Sequence, residues 1–237
     1  MKTLLVPGLC LALMFASCTT DSTDDALYNT SNTPIAAQAT PSFLRTGSGP
    51  ANTNNLYDYT GQLYNEILDY AVAHSTGTGV SNVVTDVSTA AASNSGFTAI
   101  SSGYTGLTIT TVSWVLSNSS NDQTIINNTG ASSRGRQELN DFVDLMEALP
   151  NRSYDESYDA IASFEHDVIN DSTLNSLDKR IILSSTSIAR YSLYRTFNLG
   201  GDKSWDKHKT GIYGGITGAD ASAAKGITAG VSSWMAQ

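Results

Sequence analysis

Residues able to do chemistry are sparse in this chain, and the densest set lies in YDYTGQLYNEILDY, residues 57 to 70. Asn65, Glu66 and Asp69 place an amide and two carboxylates within about one helical turn, flanked by Tyr59, Tyr64 and Tyr70. Aromatic rings beside hydrogen-bonding groups suit a polar ligand such as a sugar or a peptide. Tyr59, Tyr64, Asn65, Glu66 and Asp69 are therefore the candidate ligand-binding set. Paired carboxylates also serve glycoside hydrolysis, but there the two acids flank the scissile bond across a cleft. Two acids three residues apart on one helix usually face water or a basic partner. Binding is the preferred reading, and hydrolysis by Glu66 or Asp69 is the alternative.

A metal or general-base centre would have to use His74, His166 or His208. No two of these lie within helical reach in sequence, and the chain has no His-Glu-x-x-His, no Gly-x-Ser-x-Gly and no phosphate-cradling Gly-rich loop with Lys. In FEHDVIND, residues 164 to 171, His166 and Asn170 share a helix face, as do Asp167 and Asp171. Such a set could hold a cation weakly, yet it lacks the alternating acids and the glycine of a calcium loop. No catalytic residue, metal or cofactor is expected. A net charge of -9 argues against nucleic acid, whose phosphates demand Lys and Arg. Basic residues do gather at Lys179, Arg180, Arg190, Arg195, Lys203, Lys207 and Lys209, where a solvated helix face is the expectation.

Cys18 carries a different chemistry. A single Lys2 precedes LLVPGLCLALMFA, an apolar run of signal-peptide length that is too short to cross a bilayer comfortably. Its end, Phe15-Ala16-Ser17-Cys18, matches the bacterial lipoprotein box apart from Phe in place of the usual Leu, and polar residues follow at once. Cys18 is the expected lipid attachment point. Removing residues 1–17 discards Cys10, so no internal disulfide can form and the core alone must hold the body. Residues 18–53 are rich in Thr, Ser, Asn and Pro without periodicity, which reads as a flexible tether. Asp21, Asp24 and Asp25 within it are reminiscent of surface-export signals.

The elements that must carry the candidate groups are helical. Leu56, Tyr59, Leu63, Ile67 and Tyr70 recur at spacings of three and four, with Asn54 or Asn55 as the expected cap. Gly61 inside that helix implies close packing or a later start. Val80 to Ala92 reads as a helix with a strand as the alternative, because it is rich in Val and Thr. From 93 to 133 the pattern fades into a loop-rich insertion holding one buried element, LTITTVSWVL, whose period separates neither helix nor strand. Helical grammar returns in RQELNDFVDLMEALP, which stops at Pro150. Ser153 with Glu156, and Asn175 with Asp178, then form capping pairs for two more helices, the second ended by Gly200-Gly201. The fold class is mainly α, a small antiparallel helical bundle over 54–210. Residues 211–237 form a Gly/Ala-rich tail, read as a flexible segment or as a small-residue helix packed on the body.

The YDYTGQLYNE helix, the three-helix segment and the Trp205 region with its GADA-containing tail resemble a family of exported lipoproteins of Bacteroidota. Members of that family commonly carry His where Tyr64 stands here, and often longer glycine-zipper tails reminiscent of bacteriocins. The resemblance implies export and no particular activity. The expectation is an outer-membrane lipoprotein of the cell envelope, held to the membrane by its N-terminal lipid and binding a glycan or a protein, or serving a structural role. A bacteriocin-like effector acting through the tail is the further alternative.

Overall fold

Helices form where periodicity and caps demand them. The computed structural model describes residues 49–237, so the expected signal peptide, Cys18 and most of the expected tether lie outside the described residues. The elements are α1 (Asp58–Ala73), α2 (Val80–Ser93), α3 (Ser95–Ile100), α4 (Ile109–Asn118), α5 (Asp122–Asn127), α6 (Ser133–Ala148), α7 (Tyr154–Asn170), α8 (Ser176–Asn198), α9 (Trp205–Ala219) and α10 (Ala223–Ala236). No strand occurs among the described residues. Pro150 sits in a single 3-10 turn, Leu149–Asn151, that closes α6. Ser153 and Asn175 complete reciprocal capping boxes with Glu156 and Asp178, each satisfying donors that a helix start leaves open. Gly200, at φ +70°, supplies the left-handed residue that ends α8. The expected cap of α1 is corrected: its N-cap is Tyr57, and Asn55 is turned inward for other work.

The central element is α8. Every residue from Ile181 to Leu193 is buried, and the helix packs against α1, α6, α7, α9 and α10. Five of those thirteen residues are Ser or Thr, namely Ser184 to Ser187 and Ser192. Ser185 donates to the Ile181 carbonyl at 2.8 Å, and Thr186 to the Leu183 carbonyl at 3.1 Å, so these two hydroxyls enter the core with their donors used. The order α6, α7, α8 is antiparallel, as Arg134–Asp171 and Tyr154–Tyr194 pairings show. Helix α1 runs parallel to α8: Gly61 meets Ser187, Asn65 meets the Tyr191 carbonyl and Asp69 meets Arg195. Close packing therefore accounts for Gly61, where a Cβ would strike the backbone of Ser187.

The boundary drawn at 210 and 211 falls inside α9 and is corrected. Residues 211–237 complete α9 and form all of α10, two helices packed antiparallel along Gly211, Gly214, Gly218, Gly226 and Gly230. A Cβ on Gly214 or Gly218 would collide with carbonyl oxygens of the facing helix. The missing side chains let the backbones meet at close range. Ile212, Tyr213, Ile216, Ile227 and Val231 join the main core from this hairpin. The 93–133 insertion keeps long connections but contains α3, α4 and α5, and LTITTVSWVL resolves as α4, capped by Thr108. Val112 on α4 packs with Leu107 and Ala229, so the insertion covers the outer side of α10.

Candidate functional site

The five expected ligand-binding residues do not converge. Tyr64 is fully buried, its ring against Gly230 and its hydroxyl beside Gly211 and Ser192, and burial pushes its pKa up. Asn65 donates to the Tyr191 carbonyl at 2.9 Å as a link between α1 and α8. Glu66 is exposed and accepts from Gln62 at 2.9 Å and from Asn94 at 2.8 Å. Asp69 is exposed on a different edge, paired with Arg195 at 2.7 Å. Tyr59 is half-buried and packs against the core. The set is divided because a helix turns residue 64 to the side opposite 66 and 69, so Tyr64 is packed inward against α9 and α10 while Glu66 and Asp69 stay outside. No cleft described below contains either carboxylate.

FEHDVIND is divided in the same way. Glu165 points into the core, whereas Asn170 folds back onto the His166 carbonyl at 2.8 Å. Asp171 bonds Thr173 and Arg134; the Thr173 hydrogen bonds chiefly hold its pKa at about 2.

The structure instead gathers polar chemistry at two places. The first is a buried network between the start of the described chain and the α7–α8 pair. Glu165 and Arg190 are both 0% exposed and pair at 3.0 Å. The guanidinium also holds Asp58 at 2.6 Å and donates to the Pro50 carbonyl. Glu165 accepts from Asn52 at 2.6 Å, Asn55 at 2.8 Å and Thr186 at 2.7 Å, and Tyr191 donates to Asp58 at 3.0 Å. Tyr158 donates to the Ala51 carbonyl at 2.7 Å. Burial works against the Arg190 charge, but Glu165 and Asp58 outweigh it and push its pKa above the ordinary guanidinium value. Asn52 is buried here, so the last residues assigned to the tether already belong to the body.

The second place is the turn from α8 to α9, where a cleft of about 240 Å³ opens between Leu193, Thr196, Phe197, Lys203 and Trp205, with Pro150 and His208 in its walls. His208 is buried at the base of this turn. Its Nε2 lies 2.7 Å from the Asp202 carbonyl and must carry the proton there, which leaves Nδ1 to accept from the Ser192 hydroxyl at 2.7 Å. Burial holds its pKa below the ordinary histidine value. Ser192 is 3% exposed inside the α8–α9 contact, so this pair fastens two helices and does not present a nucleophile. Phe197, which lines the cleft, is 48% exposed, and Leu199, just past the end of α8, is 62% exposed.

The basic cluster is accounted for residue by residue. Arg190 is in the buried network, Arg180 donates to the Ala219 and Asp220 carbonyls at the end of α9, and Lys179 donates to the Ile169 carbonyl. Arg195, Lys207 and Lys209 pair with Asp69, Asp202 and Glu147. Lys203 is exposed and has no acidic partner among the described residues. Sequence reasoning missed both places, although an Arg within a Ser/Thr-rich apolar run, ILSSTSIARYSL, was a usable signal for a buried charge. No protein-family model matches the chain, and no curated protein or solved structure matches it either.

Proposed function

We propose that the chain is a lipid-anchored protein of the cell envelope, attached through Cys18, whose helical body serves a binding or structural role rather than catalysis. The observation that carries this reading is the way the body is fastened where the N-terminal segment joins it. Residues 50 to 58 are tied to α7 and α8 through Pro50, Ala51, Asn52, Asn55 and Asp58, all converging on Arg190, Glu165 or Tyr158. A body held by one end of its chain needs that end fixed. Removing one partner of a buried ion pair costs several kcal/mol, so this junction resists being pulled away from the fold. No described helix is long and apolar enough to cross a membrane, and an acylated Cys18 would supply attachment without one. The fully buried charges, Arg190, Glu165 and Asp178, are each engaged with other groups of the fold, which favours a presented surface over a reactive centre.

Mass spectrometry of the mature protein purified from membranes tests the reading. The expected N-terminal fragment begins at Cys18 and carries acyl chains, and Cys18→Ala releases the protein from the membrane fraction. A mature N-terminus without acyl chains, or a Cys18→Ala protein that stays membrane-bound, contradicts it. Protease treatment of intact cells then assigns the membrane face.

A further inference from the structure

We infer that the cleft at the α8–α9 turn binds a small organic acid, a single apolar or aromatic group bearing a carboxylate. Three features meet there. Lys203 brings a cation with no acidic partner among the described residues, while Arg195, Lys207 and Lys209 each have one. Trp205, another lining residue, offers its partly buried ring as an apolar wall. Phe197 leaves 48% of its surface in solvent at the rim. A carboxylate answers the ammonium and brings an apolar body against Leu193, Phe197, Trp205 and Pro150.

Volume and charge narrow the class. About 240 Å³ is below the roughly 300–1,000 Å³ typical of sites for drug-sized ligands, so one ring with a short acid arm fits and an oligosaccharide does not. His208 adds no charge near neutral pH, because burial keeps it unprotonated and its Nε2–H is already given to Asp202. The Asp202 carboxylate is occupied by Lys207 at 3.0 Å. Lys203 therefore decides the sign of the ligand. The inference deepens the binding half of the reading above and does not use lipid attachment, which can fail in the mass spectrum without touching this site.

The test is a 19F NMR titration of the full chain labelled with 5-fluorotryptophan, which gives one resonance for each of its three tryptophans. The Trp205 resonance is the one absent from Trp205→Phe. The probe is 3-phenylpropionate, with 3-phenylpropylamine as its charge-reversed counterpart. The expected result is a saturable shift confined to the Trp205 resonance with the acid, at least tenfold weaker with the amine, and at least tenfold weaker for Lys203→Glu. Lys203 is exposed, so that variant keeps the fold. No shift with the acid, equal affinity for the amine, or unchanged binding by Lys203→Glu overturns the inference.

Discussion

The middle of α8 and the turn that leads from it into α9 are finished in opposite ways. Around Thr186 to Tyr191 the polar groups close on one another, and Arg190 with 0% exposure donates to Glu165, Asp58 and Pro50. From Phe197 to Trp205 the finish is open: two apolar side chains face solvent and a lysine lacks an acid among the described residues. The contrast separates stability from recognition. A closed network in low dielectric holds structure because each charge is answered within the fold. Groups left unanswered cost stability, and a site that retains them is suited to an external partner.

The comparison breaks most easily at the closed end. Arg190→Met leaves Glu165 buried and Asp58 half-buried without their cation, and urea unfolding should show a loss of about 3–5 kcal/mol. That is a large fraction of the roughly 5–15 kcal/mol that holds a typical domain together. A loss below about 1 kcal/mol would mean that the network opens to water.

A smaller effect is expected at the glycine seam. Gly214→Ala forces α9 and α10 apart, since the new Cβ runs into the Ala229 carbonyl and lies 2.6 Å from Ser233 Oγ. Overpacking of this kind costs about 1–3 kcal/mol, whereas Gly79→Ala, with no atom near its Cβ, should avoid any such clash.

Next in size is a pH effect at the α8–α9 turn. His208 faces Asp202, Arg195 and Lys207, and burial leads the causes that lower its pKa. The unfolded chain takes up this proton near 6.5, the folded chain only at lower pH. Stability is therefore full above that value and falls as pH drops through it toward the folded value. The carboxylates of Asp171, Glu156 and Asp202, held below their ordinary range, add their losses at more acidic pH. Thermal unfolding of wild type and His208→Gln between pH 7.5 and 5.5 should converge as the pH falls. Parallel curves would mean that the imidazole is not kept neutral by the fold.

The smallest effects belong to the carboxylates of α1. Glu66→Gln and Asp69→Asn alter exposed contacts and should change stability by less than about 1 kcal/mol. Unchanged ligand binding in both variants would remove them from the site; loss of binding in either would restore the α1 reading over the α8–α9 cleft.

Much of the architecture was legible because its signals are local. Capping pairs at Ser153 and Asn175, the stop at Pro150 and the 3.6-residue stripes of α1, α6 and α7 belong to single elements. The centrality of α8 was not, because a run of four hydroxyl residues, Ser184 to Ser187, gives no sign of full burial, yet Ser185, Thr186 and Ser187 bond backbone carbonyls and the Glu165 carboxylate inside the core. The tail was ambiguous because its glycines gain meaning only against a facing helix. Asn52 and Asn55 looked like tether and cap, since nothing in their neighbourhood announces Glu165, 113 and 110 residues away. The α1 candidate residues are shared between core and surface because sequence proximity on a helix is not convergence in space.

Hydrogen exchange along α8 in the full chain tests the closed-and-open account most directly. Backbone amides from Leu183 to Tyr191 should exchange only through global unfolding, while those from Phe197 to Ser204 exchange through local opening and slow when 3-phenylpropionate is present. Uniform protection of both regions, or a slowing by the acid at Leu183 to Tyr191 instead of the turn, would contradict it.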